Sequence, residues 1–545
     1  PLFFTLLAAL WLEAPDRRLP ETEAELYRRA VDLLLDRWTR RRAPDPPVAD
    51  SLGLSAAELR SVLETLACTV HEQAAPGQDT TVFHGKELLG ILLDAGFQVR
   101  IQDVPHYLEQ HAGLLVSPAR NLFYFSHRSF QEHLAACELT CREPSRRRPP
   151  VAADRHFPHG LIRRAQERPD LWRNVALLAA DELAAQGRGD ELWRLLIACC
   201  RPYLEQGEAL GAAPLALAIA RRHQLFAGGE DLLHDVLLTL LRRAARQILT
   251  DVTQFPPEDR NLAGELLGER PEHDDRPGVG LRLDGLPDID WVMIPEVDEN
   301  GRREFVYGQD ERRIEPTFWI ARHPITYAQF QPFLDSADGF DNPQWWEGLA
   351  TPAEQRAKPG EQRFRFWNHP RENVSWWDAI AFCRWLTAKA QATPGLLPEA
   401  LRNQSGWRIT LPTEWQWEKA ARGHDGRRYP WGGEAYQPGH ANIDETAGQI
   451  GPHYLQKSSA VGMYPQGASP YDVLDLSGNV WEWCLNEYEH PDRTQEAGDA
   501  RRVLRGGSWY FNHVNAAAPV RIRFFLPPRD GLFGFRVVVC SVPVG

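Results

Sequence analysis

Two kinds of sequence meet in this chain, and the seam between them constrains the fold more than any single motif. Residues 258–290 are rich in Pro, Gly, Asp and Arg, and 258–287 read as a linker. Before the seam, Leu/Ala-rich segments repeat apolar residues at helical spacing. In 21–42, for example, Leu26, Ala30, Leu33, Leu34 and Trp38 share one face, with arginines and acids opposite. After the seam come short apolar runs, many Gly/Pro turns and most of the chain's 19 tryptophans. The fold class expected is therefore a helical N-terminal region joined to an α+β domain rich in loops. With 545 residues, 43% of them hydrophobic, two to four domains with ordinary cores are expected.

Charge and cysteine content narrow the function classes. A formal net charge of -13 repels phosphate, so no nucleic-acid partner is expected. The basic runs at 40–42 and 146–148 read as solvated helix ends or linkers. The eight cysteines are scattered without a CxxC pair, which suits a reducing cytoplasm. The apolar run at 2–10 lacks a basic leader, and no segment reaches the roughly 18 uncharged apolar residues of a membrane span, so no membrane partner is expected. A start at Pro1 rather than Met suggests a fragment or a trimmed chain.

The expected helices at 55–72, 85–96 and 104–111, followed by strands at 113–116 and 121–125, stand in the order of a winged helix. The domain expectation is a helical segment over 1–50, a winged-helix-like domain over 51–140, a helical domain over 141–257, the linker, and a loop-rich domain over 288–545. Phe123-Tyr124-Phe125-Ser126-His127-Arg128-Ser129-Phe130-Gln131-Glu132-His133-Leu134-Ala135-Ala136 resembles a motif in the winged helix of NACHT-domain proteins, which are STAND-type signalling ATPases. The resemblance implies that His127 senses the phosphate of bound ADP and that Pro1 packs against adenine. The bland alternative makes His127 an ordinary residue at a helix start. No G-x-x-x-x-G-K-[ST] loop occurs, so ATP or ADP enters only with an upstream NTPase domain.

The second half resembles the formylglycine-generating enzymes, the sulfatase-modifying oxidases with a C-type lectin fold. The resemblance covers roughly 288–541 and rests on ordered blocks. They include Asn373-Val374-Ser375-Trp376-Trp377-Asp378, Leu411-Pro412-Thr413-Glu414-Trp415, Asp475-Leu476-Ser477-Gly478-Asn479-Val480-Trp481-Glu482-Trp483, Arg505-Gly506-Gly507-Ser508 and Gly534-Phe535-Arg536-Val537. The family's two reactive cysteines fall at Phe511 and Ala516. A phenyl ring and a methyl group can neither ligate copper nor form a thiolate, so no copper and no oxidase activity are expected. The family's calcium site maps onto Asp475, Gly478, Val480 and Glu482, oxygen donors suited to that ion; the alternative is that Glu482 pairs with an arginine. A second family calcium site begins at Asn442 and Ile443, but its acidic partner aligns near His453.

Residues 510–533 contain no Lys, Glu, Gln, Met or Trp. Those five types cannot arise when the adenines of AAY codons are randomised. The segment thus resembles the variable region of a diversity-generating retroelement, whose products use a C-type lectin fold to bind ligands. Tyr510, Phe511, His513, Val514, Val520, Ile522, Phe524, Phe525, Leu526, Leu532 and Phe533 would then form an aromatic, apolar surface for a protein ligand. Buried strands are the competing reading, although Pro519, Pro527, Pro528 and the Asp530-Gly531 pair favour loops. Taken together, the expectation is a cytoplasmic recognition and signalling protein, not an enzyme. The rivals are a formylglycine-generating or related oxidase and a purely bridging module.

Overall fold

In the computed structural model, the structure describes residues 7–541 apart from 9, 13–18, 21, 38–52, 76–81, 98–102, 111, 145–146, 207–211, 228–231 and 524–528. Two compact units emerge, one formed by residues 1–225 and 229–241, the other by 226–228 and 242–545. No helix among the described residues is long and apolar enough to cross a membrane.

The first unit begins with α1 (Glu23–Asp32), then folds into a winged helix. Its helices are α2 (Ala56–Gln73), α3 (Gly85–Asp94) and α4 (Val104–Gln110). The wing is β2 (Leu115–Ala119) and β3 (Leu122–Phe125), with Leu115 opposite Phe125, and the two-residue β1 (Phe83–His84) pairs on the other side of β3. The helix starts are written in the sequence: Ser55 caps α2 and exchanges hydrogen bonds with Glu58, a reciprocal capping box. Strand β1 escaped sequence reading because two residues carry no period. After α5 (Arg128–Leu139) come α6 (His159–Glu167), α7 (Pro169–Ala185), α8 (Gly189–Gln206) and α9 (Ala212–Arg222). The apolar residues of α7 and α9 are largely buried, as their Leu/Ala content implies.

The second unit is built on two four-stranded sheets. One runs β4 (Trp291–Ile294), β7 (Phe318–Ala321), β13 (Val538–Ser541), β8 (Trp407–Thr410); the other runs β11 (Arg521–Arg523), β10 (Arg502–Arg505), β9 (Trp481–Glu487), β12 (Phe533–Gly534). Strands β5 (Glu304–Tyr307) and β6 (Glu311–Ile314) form a separate hairpin. The core is aromatic: Trp376, Trp377 and Trp385 of α10 (Trp376–Ala392) pack with Phe330, Phe333, Trp481 and Trp483. Large indoles suit a domain with little regular structure because each buries a broad plate and needs only one acceptor. Two find it on backbone, Trp376 Nε1 donating to the Cys484 carbonyl and Trp483 Nε1 to the Val374 carbonyl, both at 3.0 Å. Helix α11 (Glu414–Arg422) is capped by Thr413 in a box with Gln416.

The expected linker at 258–287 is not one. It contains the helix Pro257–Leu267, with Arg260, Leu266 and Leu267 buried. Gly264 lies so close to Ala460 that a Cβ would sit 2.8 Å from that methyl. Asn368 donates to both the Gly264 carbonyl and Asp274, which also holds Arg276. The charged residues that made this stretch look solvated are paired inside the second unit, and the division between units falls earlier.

Ser375 caps α10 in a box with Asp378, and Asp378 also grips Arg529 at 2.7 Å. Ser375→Ala should lower stability by about 1 kcal/mol, as for a lost N-cap. Asp378→Ala should lower it by more, because Arg529 then loses its partner. Urea midpoints of the two variants check the order.

Candidate functional site

The family's signature glycines start a loop between β10 and β11. Gly506 and Gly507 both have left-handed φ, +95° and +79°, and a Cβ on Gly507 would come within 2.9 Å of the Ala516 Cα. Only glycine lets the loop double back this tightly. Beyond them the backbone is pinned by the scaffold: Trp509 N–H donates to the Asn479 carbonyl, Asp444 N–H to the Phe511 carbonyl, Tyr429 hydroxyl to the His513 carbonyl, Ser477 hydroxyl to the Ala516 carbonyl and Ala518 N–H to the Arg428 carbonyl. These bonds hold main chain and leave side chains free. Tyr510 is 56% and Val514 48% exposed, with Asn512, His513 and Asn515 half-buried beside them.

The expected recognition surface is only partly assembled. Phe533 is 1% exposed, paired with Trp481 in the parallel β9–β12 ladder and set edge-on to Trp483, so it is core. Phe511, Val520, Ile522 and Leu532 are half-buried against the main core rather than open, because β11 and the turn before β12 draw them inward. Phe524, Phe525 and Leu526 lie outside the described residues. The rim of the loop instead carries ion pairs: Arg521 makes a two-pronged pair with Glu414 at 2.8 and 2.9 Å, and Arg523 pairs with Glu489. Sequence reading, intent on apolar residues, passed over these arginines.

At the two thiol positions the ring of Phe511 packs edge-on against Trp481, 5.9 Å between centroids, and the Ala516 methyl is buried with Ala441 and Ile443. The unit's own thiols, Cys383, Cys484 and Cys540, are all pushed upward in pKa by burial, away from the reactive thiolate. Ser508 Oγ, Trp481 Nε1, Trp509 Nε1 and His513 Nδ1, in the loop and on the strand beneath it, are buried atoms without a protein hydrogen-bond partner. Such groups suit hydrogen bonds to an incoming polar ligand or to water.

The expected calcium ligands do not fit the ion. Both oxygens of Glu482 are taken: Arg536 donates to them through Nε at 2.6 Å and Nη2 at 2.7 Å, and Trp417 Nε1 donates at 2.7 Å. A guanidinium so placed opposes a second cation. Asp475 accepts from Gly462 N–H at 2.7 Å and faces His323 at 3.8 Å, a histidine whose pKa burial lowers. Gly478 is held for steric reasons, since a Cβ there would lie 2.4 Å from the Asn442 carbonyl oxygen, and Val480 is buried core. At the second expected site, Asn442 spends its amide on Lys457, Ser459 and Asn479, and His453 pairs with Glu258.

In the first unit His127 is the N-cap of α5, its Nδ1 accepting from Ser129 N–H at 3.2 Å, and it is exposed. Pro1 lies outside the described residues.

A winged helix in one unit and a Gly-Gly-Ser loop over a tryptophan core in the other define a two-part protein. Residues 23–139 match the family described as winged helix-turn-helix domain C-terminal to NACHT, and 296–540 match the sulfatase-modifying factor enzyme 1-like domain. The formylglycine-generating enzyme of Thermomonospora curvata is 32% identical over 308 residues, covering 51% of this chain and 90% of that protein. The chain belongs to the formylglycine-generating-enzyme family of sulfatase-modifying factors. It is also similar to the hercynine oxygenase of Mycolicibacterium smegmatis, 30% identical over 229 residues and 36% of this chain, and to the inactive C-alpha-formylglycine-generating enzyme 2 of Mus musculus, 34% identical over 171 residues and 30% of this chain. The chain spans about half the length of these two relatives, 46% of each. Among solved structures, Treponema denticola variable protein 1 aligns with a TM-score of 0.31 at 22% identity, over 46% of this chain and 94% of that one.

Glu482→Gln should lower stability by roughly 3 to 5 kcal/mol, the loss on breaking a buried ion pair from one side. Adding calcium or a chelator should leave the unfolding midpoint where it is. A calcium-dependent rise in midpoint that Asp475→Ala removes would overturn the assignment of Glu482 to Arg536.

Proposed function

We propose that this chain is a cytoplasmic ligand-recognition protein whose formylglycine-generating-enzyme-type domain has lost its oxidase chemistry and presents a diversified surface to a protein ligand. The carrying observation is that the loop after Gly507 is fixed through its backbone, while the two thiol positions hold Phe511 and Ala516. A frame that fixes main chain and exposes Tyr510 and Val514, with Asn512 and His513 half-buried beside them, suits a binding surface of aromatic anchors among polar groups. The winged helix, a module found C-terminal to NACHT domains, supports coupling of recognition to an NTPase switch on a longer chain. Adenine-directed diversification accounts for the five residue types missing from 510–533. Sibling gene copies that differ only at codons within 510–533, matching adenines of a nearby template, test that origin directly.

Oxidase chemistry by the family's route needs a thiol pair that is absent, and the hercynine oxygenases' likeness supplies no replacement. No two histidines are spaced as in a His-x-x-x-His-x-Glu motif.

Incubation with copper, oxygen and a Cys-containing sulfatase peptide should yield no aldehyde, read by mass spectrometry; stoichiometric formylglycine would refute the reading.

Tolerance separates surface from frame. Tyr510→Ser and Val514→Asn should shift stability by no more than about 0.5 kcal/mol, as for surface sites. Phe533→Ala should lower it by roughly 3 to 5 kcal/mol, as for a buried phenylalanine. Chemical denaturation of the three variants measures both; a large loss at Tyr510 and Val514 would sink the binding-surface reading.

A further inference from the structure

The first unit contains a cluster that the recognition reading does not use. His133 and Cys137 lie one turn apart on α5, and Glu182 comes from α7; each offers a ligand atom, and those atoms lie within 4.8 Å of one another. His133 is fully buried and Glu182 nearly so. The Cys137 Sγ stands 3.6 Å from His133 Nε2. Tetrahedral zinc, with Zn–S near 2.3 Å and Zn–N near 2.0 Å, separates its sulfur and nitrogen ligands by about 3.6 Å.

From this geometry we infer that His133, Cys137 and Glu182 form a site for a borderline-soft divalent metal of the zinc class, bridging α5 to α7. Imidazole, thiolate and carboxylate are the donor set such ions choose over calcium or magnesium. Glu182 has an oxygen to give: Oε1 accepts from Gln186 at 2.7 Å and lies 3.9 Å from Arg28, whereas Oε2 is buried with no protein partner. His133 ligates as neutral imidazole and Cys137 as thiolate, so binding expels the thiol proton to solvent as the Zn–S bond forms. Thiolate and carboxylate then balance the two positive charges, which a buried site requires.

Three protein ligands leave a coordination position open, as in sites that exchange a ligand. Cys137 and Glu182 both line an open cleft of about 410 Å³, which gives the metal a route in and the fourth position a route to solvent. Its walls carry Arg28, Arg60, Arg142, Arg147 and Arg188. Arg147 is paired with Glu64 and Glu138, and Arg60 with Glu64 and Asp32, while Arg60 Nη2 also stands 3.8 Å from Cys137 Sγ and Arg28 3.9 Å from Glu182 Oε1, two contacts that a bound metal replaces. The bland alternative is a simple thiol-to-imidazole hydrogen bond between His133 and Cys137.

The test uses the full chain, stripped with a chelator and titrated with Zn²⁺ or Co²⁺. Wild type should keep one equivalent through desalting, show a thiolate-to-cobalt charge-transfer band and melt at higher temperature with Zn²⁺. Cys137→Ser and Glu182→Gln should each weaken binding at least tenfold, and Cys137→Ser should abolish the band. Cys141→Ser, in the same cleft but outside the ligand set, should bind like wild type. Wild type that retains no more metal than Cys137→Ser, or that binds cobalt without the thiolate band, would overturn the site and leave the hydrogen bond. The wild-type titration decides this even where a variant folds poorly.

Discussion

The buried pair between Glu482 and Arg536 organises the second unit. Glu482 belongs to β9 in one sheet, and Arg536 precedes β13 in the other. The carboxylate also anchors Trp417 of α11, and the guanidinium reaches the carbonyls of Ala321, Arg322 and Leu474. Two sheets, a helix and a loop thus converge on one charge. A desolvated ion pair of this kind is satisfied only in one arrangement, so it specifies geometry even where its net contribution to stability is small. A second buried pair works alongside it: Glu418 binds Arg422 within α11 and Arg505 at the end of β10, immediately before the two glycines. The loop after Gly507 therefore leaves a strand end whose position is fixed electrostatically.

That arrangement explains how the family scaffold keeps its shape with a phenyl ring and a methyl group at positions 511 and 516. Nothing in the Glu482 or Glu418 networks involves positions 511 or 516. Phe511 fills its place by packing edge-on against Trp481, and Ala516 by packing with Ala441 and Ile443.

Much of this was legible in the sequence. The helix expected at 55–72 is found at Ala56–Gln73, because its apolar period and its start at Ser55 are both local signals. The winged helix followed from element order, and Phe511 and Ala516 from the resemblance to the formylglycine-generating enzymes. What the sequence hid was partnership across the fold. Glu482 looked like an ion ligand because no local pattern reveals Arg536 fifty-four residues away. Phe533 looked like surface because composition does not say which face of a short strand meets the core. The stretch at 258–287 looked like a linker because its acids and arginines find each other only after folding. His133, Cys137 and Glu182 escaped notice for the same reason, their third member lying on another helix.

The cap on α5 fixes more than a helix start. Because Nδ1 of His127 accepts the Ser129 amide hydrogen, the neutral ring must carry its proton on Nε2. The tautomer is thereby chosen by the backbone, and the exposed edge of the ring is a hydrogen-bond donor even when uncharged. An oxygen approaching that edge meets a group already oriented to receive it, and the response does not depend on protonating the imidazole.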